Sequence, residues 1–215
     1  MMSTNKRQYQ KEMETIIKQM NGQRKSLLLH SCCAPCSSAV LVLLQDIFDI
    51  TVFYYNPNIS EQEEYIKRVE EQKRLIQELN QQKPEFPIYI IEGDYEPKLF
   101  YEMAKGLEKC PEGGERCFGC YRLRLQKTAE LAKQQQFDYF TTTLTISPLK
   151  NAQKLNEIGE ELGKQYETAF LPSDFKKKEG YKRSIELSKE YDLYRQNFCG
   201  CAFSKAESLS NNKKM

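Results

Sequence analysis

Hydrophobic residues follow two spacings along the chain. Short continuous apolar runs predict buried strands, whereas apolar residues that recur every three or four positions predict amphipathic helices. The runs predict strands at 26–30, 50–55, 87–91, 138–144 and 168–171. The helical spacing predicts helices at 9–20, 35–48, 60–79, 96–107, from about 116, at 151–166 and at 181–193.

This alternation of strands and helices indicates parallel βαβ units. The sequence therefore predicts an α/β fold with a Rossmann-like (HUP or PP-loop-like), doubly wound, mostly parallel sheet of about five strands flanked by helices. Ligands of such sheets bind at the carboxyl ends of the strands. Four polar or cysteine-rich segments fall there: SCCAPC (31–36), YYNPN (54–58), EGD (92–94) and the end of TTTLTISP (141–148).

Length and charge restrict the organisation of the chain. Its 215 residues suffice for one core, and we expect a single domain over 1–203 followed by a polar, disordered tail over 204–215. With 32 basic and 30 acidic residues the net charge is +2, so any nucleic-acid-binding surface must be local. The longest apolar run, 39–44, is too short to cross a bilayer, and the N-terminal residues lack the apolar core of a signal peptide. These features predict a cytoplasmic protein.

Seven of the eight cysteines fall into three motifs: CCxxC at 32–36, CxxC at 117–120 and CGC at 199–201. Because cytosolic thiols stay reduced, cysteines clustered in this way indicate metal or redox chemistry rather than structural disulfides. Cys110 stands apart and fits a small buried hydrophobic residue equally well.

The CxxC and CCxxC motifs together can supply four thiolates. Cys117 and Cys120 lie three residues apart, on one face of the predicted helix, and Cys32 and Cys33 lie in a strand-to-helix turn. Four thiolates are the ligand set of a [4Fe–4S] cluster. Zinc accepts the same ligands, so the spacing leaves the metal open.

The CGC motif favours a different chemistry. Cys199 and Cys201 can close only a small strained ring, which Gly200 permits, and strained disulfides are easily reduced. A redox-active dithiol is therefore one interpretation. The other is that the pair ligates a metal, and with Cys36 it could hold a second ion.

Several other residues are candidates for catalysis or substrate binding. His30, the only histidine, ends the first strand beside the cysteines; such a residue usually packs in the core, and its functional interpretation is proton donation. Asp94 is a turn residue or an acid of the site. Tyr54, Tyr55 and Asn56 have two interpretations. They are residues that pack at the end of the sheet and form the turn, or their side chains stack on a flipped base.

A basic segment, 176–184, holds five basic side chains in nine positions. A solvated surface explains most charge runs, but this segment lies next to aromatic residues and just before CGC, and it could follow a phosphate backbone. The substrate-binding candidates here are Tyr181, Lys182, Arg183 and Arg195.

Six segments together resemble the QueH family of epoxyqueuosine reductases. They are LHSCCAPCSS (29–38), FYYNPNI (53–59), EGDYEP (92–97), ERCFGCYRLRL (115–125), FTTTLTISPLKN (140–151) and EGYKRSIELSKEYDLYRQNFCGCAFS (179–204). The resemblance covers nearly the whole chain between residues 25 and 203. It implies reduction of epoxyqueuosine to queuosine at the anticodon wobble position of tRNA, by an iron–sulfur enzyme that needs no cobalamin but does need an electron donor, which the sequence does not identify.

The resemblance also implies residue roles. The cluster cysteines of the family match Cys32, Cys33, Cys117 and Cys120, and its redox pair matches the two cysteines of the CGC motif. Position 36 is Asp in some members, so Cys36 is a further metal-ligand candidate, either for the cluster or for a second mononuclear ion.

Two other functions fit parts of the sequence. A PP-loop tRNA sulfur transferase would share the sheet, but its nucleotide loop should read roughly SGGxDS where this chain has SCCAPCS, so we expect no requirement for ATP. A non-catalytic RNA-binding module stapled by zinc would be colourless, whereas an iron–sulfur protein is brown.

Overall fold

The computed structural model describes residues 7–212, with side chains described as far as residue 210. Its five strands form one sheet in the order β3-β2-β1-β4-β5, in which every neighbouring pair is parallel. The strands are β1 (Lys25–His30), β2 (Phe48–Tyr54), β3 (Tyr89–Glu92), β4 (Tyr139–Thr142) and β5 (Ala169–Phe170). The predicted α/β fold with a parallel, doubly wound sheet is confirmed.

Helices connect and flank these strands. They are α1 (Tyr9–Gln19), α2 (Ala34–Leu44), α3 (Gln62–Gln82), α4 (Pro97–Ala104), α5 (Glu115–Gln134), α6 (Ala152–Tyr166), α7 (Gly180–Glu190) and α8 (Ala202–Asn212), with a 3-10 turn at Thr143–Ile146. No helix within residues 7–212 is both long enough and apolar enough to span a membrane.

The core consists of two layers, one on each face of the sheet. Leu27, Leu28 and Leu29 in β1 are all fully buried, because β1 is the central strand and helices cover both of its faces. Leu27 and Leu29 pack into one layer and Leu28 into the other, as the alternation of side chains along a strand requires. A continuous apolar run is therefore the pattern expected of this strand.

The sheet has its switch point between β1 and β4. From β1 the chain proceeds to β2 and β3 on one side, and from β4 it proceeds to β5 on the other. The loops that leave β1 and β4 therefore diverge, which opens a crevice at their carboxyl ends. The CCxxC motif follows β1 directly, and the Thr143–Ile146 turn follows β4.

Several predicted boundaries differ from the structure. The helix predicted to reach residue 48 ends at Leu44, because a turn at 45–47 sets Phe48 beside Lys25 as the first residue of β2. The strand predicted over 138–144 ends at Thr142, where the 3-10 turn begins. The helix predicted from residue 60 begins at Gln62, with Glu61 as its N-cap residue, and Ser60 donates to the carbonyl oxygen of Gly200 instead.

The predicted disorder after residue 203 is wrong for residues 204–212, which belong to α8. Two residues attach the start of this helix to the rest of the protein. Phe203 lies under the guanidinium of Arg116 at 4.4 Å, and Ser204 hydrogen-bonds to Glu112. Composition alone does not reveal such contacts. Residues 213–215 lie outside the described part of the chain.

Candidate metal and substrate site

Three thiols converge where β1 passes into α2. The Sγ atoms of Cys32, Cys33 and Cys36 all lie within 4.8 Å of one another, a group we call the tripod. Cys33 is extended and precedes the first helical residue, while Pro35 occupies the first turn of α2 and tolerates the missing N–H there. This local structure places all three thiols at the N-terminus of a helix, where the dipole stabilises negative charge.

The three thiols of the tripod differ in pKa. Hydrogen bonds from Cys32 and Cys36 hold the pKa of Cys33 well below its usual range, and the Arg68 guanidinium acts in the same direction. The bond to Cys33 raises the pKa of Cys32 to about 11, and bonds to both neighbours raise the pKa of Cys36. One thiolate therefore forms readily in the metal-free tripod, and a metal must displace protons from the other two thiols.

The remaining clustered cysteines form a second group, which we call the quartet. Cys117, Cys120, Cys199 and Cys201 line one small cavity of about 10 Å³. Helix α5 presents the first two on one face, and the loop before α8 brings the CGC motif against them. All eight cysteines of the chain are free thiols.

Amide groups solvate the thiols of the quartet. Cys117 Sγ accepts from the backbone N–H of Gly113 at 3.2 Å, and Cys201 Sγ accepts from that of Ser204 at 3.3 Å. Burial raises the pKa of Cys120 to about 12 and that of Cys201 to about 11, so these two thiols are protonated at neutral pH when no metal is bound. Donors aimed at sulfur are typical of thiolate metal sites, where they tune the metal.

The CGC loop is fixed against the loop that follows β2. Gly200 has φ +112, a conformation that favours glycine, and a Cβ there would lie 2.9 Å from Cγ1 of Ile59. The N–H and hydroxyl of Ser60 donate to the Gly200 carbonyl oxygen at 3.1 and 3.2 Å, and Arg68 donates to that of Cys199 at 3.2 Å. The glycine is therefore required by both its conformation and its surroundings.

A cleft of about 200 Å³ joins the two thiol groups to the surface at the switch point. Cys32 and Cys36 of the tripod and Cys199 of the quartet line it. Leu149 and Tyr181, with exposed fractions of 71% and 37%, lie at its mouth. An apolar, aromatic entrance above a sulfur-lined interior can admit a planar base from solvent.

Two of the four basic-segment candidates lie at this cleft. Tyr181 and Arg195 line it, and Arg195 also donates to Ser188 Oγ at 2.9 Å. Lys182 and Arg183 do not line it; on α7 they pair with Glu179 and with Glu186 and Glu190, respectively. The pairing fits a solvated helix face, so the structure supports substrate contact only for the first two.

The substrate-binding candidates at the end of β2 are buried, which favours the packing interpretation of these residues. Tyr54, Tyr55 and Asn56 are each at most 1% exposed, so the two rings have no free face on which a base could stack. Tyr55 donates to Glu96, and Asn56 donates to the Ser31 carbonyl oxygen while accepting from Arg124. These side chains support the loops of the site from within the core.

The two further catalytic candidates also lie away from the cleft. His30 is fully buried and bonds to Thr142 Oγ1 at 2.9 Å and to the Tyr55 carbonyl oxygen at 3.1 Å. Burial, with a smaller contribution from Arg124, lowers its pKa to about 3, so it is neutral at physiological pH and the core interpretation fits better than proton donation. Asp94 is exposed and lines neither cavity.

Sequence reasoning missed the charged side chains that lie between the thiol groups. Arg124 and Lys150 line both the quartet cavity and the cleft, together with Glu112. One of them left a signal in the sequence. Arg124 lies four residues after Cys120 and seven after Cys117, so a charged residue interrupts the apolar, core-facing stripe of α5.

Comparison with known proteins identifies the family. The sequence profile of the family described as "Epoxyqueuosine reductase QueH" matches residues 27–207. The chain belongs to this QueH family. It is 43% identical to the epoxyqueuosine reductase QueH of Staphylococcus epidermidis over 207 residues, which cover 94% of this chain and 87% of the relative. The QueH of Thermotoga maritima is 34% identical over 185 residues, with 85% and 91% covered. The resemblance drawn from the six segments is thus confirmed.

The donor set of this QueH chain fits a thiolate-bound metal centre. Seven reduced cysteines converge in two groups on one crevice, and soft thiolate ligands select iron–sulfur clusters or zinc over hard cations. The tripod is the tightest such group: among residues 7–212, no second set of three metal-ligating side chains approaches within 4.8 Å. The expected ligand set of Cys32, Cys33, Cys117 and Cys120 draws on both groups and stays a prediction.

Proposed function

We propose that this chain reduces epoxyqueuosine in tRNA to queuosine. The observation that carries the proposal is the pair of thiol groups at one solvent-connected cleft, which Cys32 and Cys36 of the tripod and Cys199 of the quartet line, in a chain that belongs to the QueH family. Converting an epoxide to an alkene breaks two C–O bonds, consumes two electrons and two protons, and releases water. A cleft lined by thiols suits this reaction, because thiols can supply both electrons and protons.

The cofactor we propose is a [4Fe–4S] cluster held by the thiolates of four residues, Cys32, Cys33, Cys117 and Cys120. When bound, such a cluster supplies electrons. The three thiols of the tripod also fit a second, mononuclear ion, for which Cys36 would be a ligand. Metal analysis separates the two arrangements, because one cluster gives four irons per chain and an additional ion gives a fifth metal.

The CGC dithiol matches the electron count of the reaction. Joining Cys199 and Cys201 in a disulfide releases two electrons and two protons, which equals the demand of one epoxide. An external electron donor must then reduce the disulfide again. Cys199 lines the cleft, and Gly200 has the backbone conformation that a tight dithiol loop needs.

In this proposal the substrate binds at the mouth of the cleft. Tyr181 offers an exposed ring for stacking, and Arg195 offers a guanidinium for a phosphate. Lys150 is nearly buried and pairs with Glu112 at 2.9 Å, and Glu112 accepts from the hydroxyl of Ser204. This chain of polar groups leads from the cleft to the CGC loop and can hold the protons that the epoxide oxygen requires.

Anaerobic reconstitution with iron and sulfide, followed by incubation with epoxyqueuosine-containing tRNA and a reductant, tests the function. Nucleoside mass spectrometry should detect queuosine, and tRNA that already contains queuosine provides the control. A reconstituted brown protein that leaves epoxyqueuosine unchanged would contradict the activity. A colourless zinc protein would favour the RNA-binding module, and ATP-dependent thiolation of tRNA would favour the sulfur transferase.

A further inference from the structure

Five cationic side chains line the quartet cavity or the cleft, and one of them, Arg195, is exposed to solvent. The other four are Arg68, Arg116, Arg124 and Lys150. Three of them pair with carboxylates, as Arg68–Glu64 at 2.7 Å, Arg116–Glu207 at 3.6 Å and Lys150–Glu112 at 2.9 Å. The charge of these three is therefore already balanced by protein groups.

Arg124 differs from the other three cations. It is 1% exposed, and no carboxylate among the described residues pairs with it. Its Nη1 donates to Asn56 Oδ1 at 3.2 Å and its Nε donates to the Cys120 carbonyl oxygen at 3.4 Å, while its buried Nη2 has no partner. A buried guanidinium without a counter-ion is strongly unfavourable, so a negative charge must compensate it.

The sulfur atoms are the available source of that charge. Arg124 lines the cavity of the quartet and also the cleft that contains Cys32 and Cys36 of the tripod. Cys120 and Cys32 are both proposed metal ligands, and a bound metal would hold them as thiolates. The one guanidinium lies in both cavities and so faces sulfur from both groups.

We propose that Arg124 is the buried counter-cation shared by both thiol groups and that it raises the reduction potential of the metal–thiolate centre. The inference rests on the proposed function, which supplies that centre. Reduction adds negative charge, and a fixed cation in a low-dielectric interior stabilises the reduced form more than the oxidised one. Arginine suits this role because its guanidinium does not lose its proton in proteins. Arg124 is thus a positioning residue, which acts on the metal–thiolate centre through its positive charge.

The test compares midpoint potentials of the reconstituted proteins in a redox titration followed by absorbance and EPR. Arg124→Gln removes the charge and keeps an amide beside Asn56. We expect its one-electron reduction equilibrium to shift at least tenfold toward the oxidised form, which is 59 mV to lower potential. Arg122→Gln is the matched control: Arg122 lies on the same helix, is 40% exposed and pairs with Glu161 at the surface. It should keep the wild-type potential.

A second variant adds a carboxylate without removing the arginine. Asn56→Asp places a negative charge on the atom that already accepts from Arg124 Nη1, and so neutralises the guanidinium in place. We expect a shift in the same direction as in Arg124→Gln. Circular dichroism and iron content establish that each variant is folded and loaded.

The outcomes separate the two proposals. Wild-type protein that binds no iron–sulfur cluster overturns the proposed cofactor. A cluster whose potential is the same in wild type, Arg124→Gln and Asn56→Asp overturns the role of Arg124 and leaves the proposed function intact. Loss of the cluster from both variants, with Arg122→Gln fully loaded, also contradicts the inference, because Arg124 would then be a structural requirement of the site.

Discussion

At the scale of single residues, the seven clustered cysteines divide into groups that their order in the sequence does not give. Cys117 and Cys120 share a cavity with the CGC pair, whereas Cys36 joins Cys32 and Cys33 in the tripod. The proposed ligands Cys117 and Cys120 and the proposed redox pair therefore line the same cavity. Variants of individual cysteines can separate ligation from electron transfer.

Replacement of two cysteines in the quartet should have opposite effects on iron. Cys117→Ser should lose iron and the brown absorbance, because it removes a proposed ligand. Cys199→Ser should keep the iron and stop turnover, because it removes half of the proposed dithiol. Iron analysis and absorbance spectra measure the difference, with Cys110→Ser as the control that keeps both iron and activity. Equal loss of iron from the first two variants would make the CGC motif a ligand and would contradict its redox role.

Residue types that carry chemistry were easy to find in the sequence, but their environments were not. The cysteines stood out by their spacing. His30 and Tyr54 looked equally suggestive, because both sit at the ends of strands that lead to the site. Burial decides against them, and burial depends on which loops fold back over a strand end, which local sequence does not encode.

At the scale of secondary-structure elements, α8 shows how a short polar helix can support the site. Its first turn carries Ser204, whose hydroxyl accepts from the N–H of Cys199 at 3.1 Å and donates to Glu112 at 3.1 Å. The backbone N–H of the same residue donates to Cys201 Sγ. One residue thereby ties both cysteines of the CGC motif to the helix.

Removing the hydroxyl of Ser204 should loosen the CGC loop. Ser204→Ala loses two hydrogen bonds, each worth about 1 kcal/mol. We expect faster amide hydrogen exchange in the peptide that contains residues 199–201 and a lower turnover rate. Ser210→Ala is the control, because its exposed hydroxyl bonds only to the carbonyl oxygen of Glu207 within α8. Unchanged exchange at 199–201 would show that the backbone alone holds the loop.

At the scale of the whole molecule, the apolar pattern predicted the architecture well. Leu27, Leu28 and Leu29 form a continuous apolar run because β1 is covered on both faces, and the pattern of α1 follows from one buried side that includes Tyr9 and Met13. The order of the strands and the position of α8 could not be predicted from this pattern. Both depend on contacts between distant segments, such as β1 with β4, which no local period records.

The nearly balanced charge of the chain makes local basic residues decisive for RNA binding. With a net charge of +2, tRNA affinity should depend on individual cations at the cleft. Arg195→Gln should weaken tRNA binding and reduce the slope of log K against log salt by about 0.7–0.9, the contribution of one phosphate contact. Lys182→Gln should change both much less, because Lys182 pairs with Glu179 outside the cleft. Binding isotherms at several salt concentrations measure this, and equal slopes for the two variants would contradict the assignment.

The contact between Ser60 and Gly200 also has a consequence for biosynthesis. It joins residues 140 positions apart, so the second half of the quartet reaches its place only after all the residues between them have been synthesised. The tripod and the α5 cysteines precede the CGC motif in the sequence and are therefore synthesised first. Docking of the CGC loop against Ser60 is thus the step that completes the quartet.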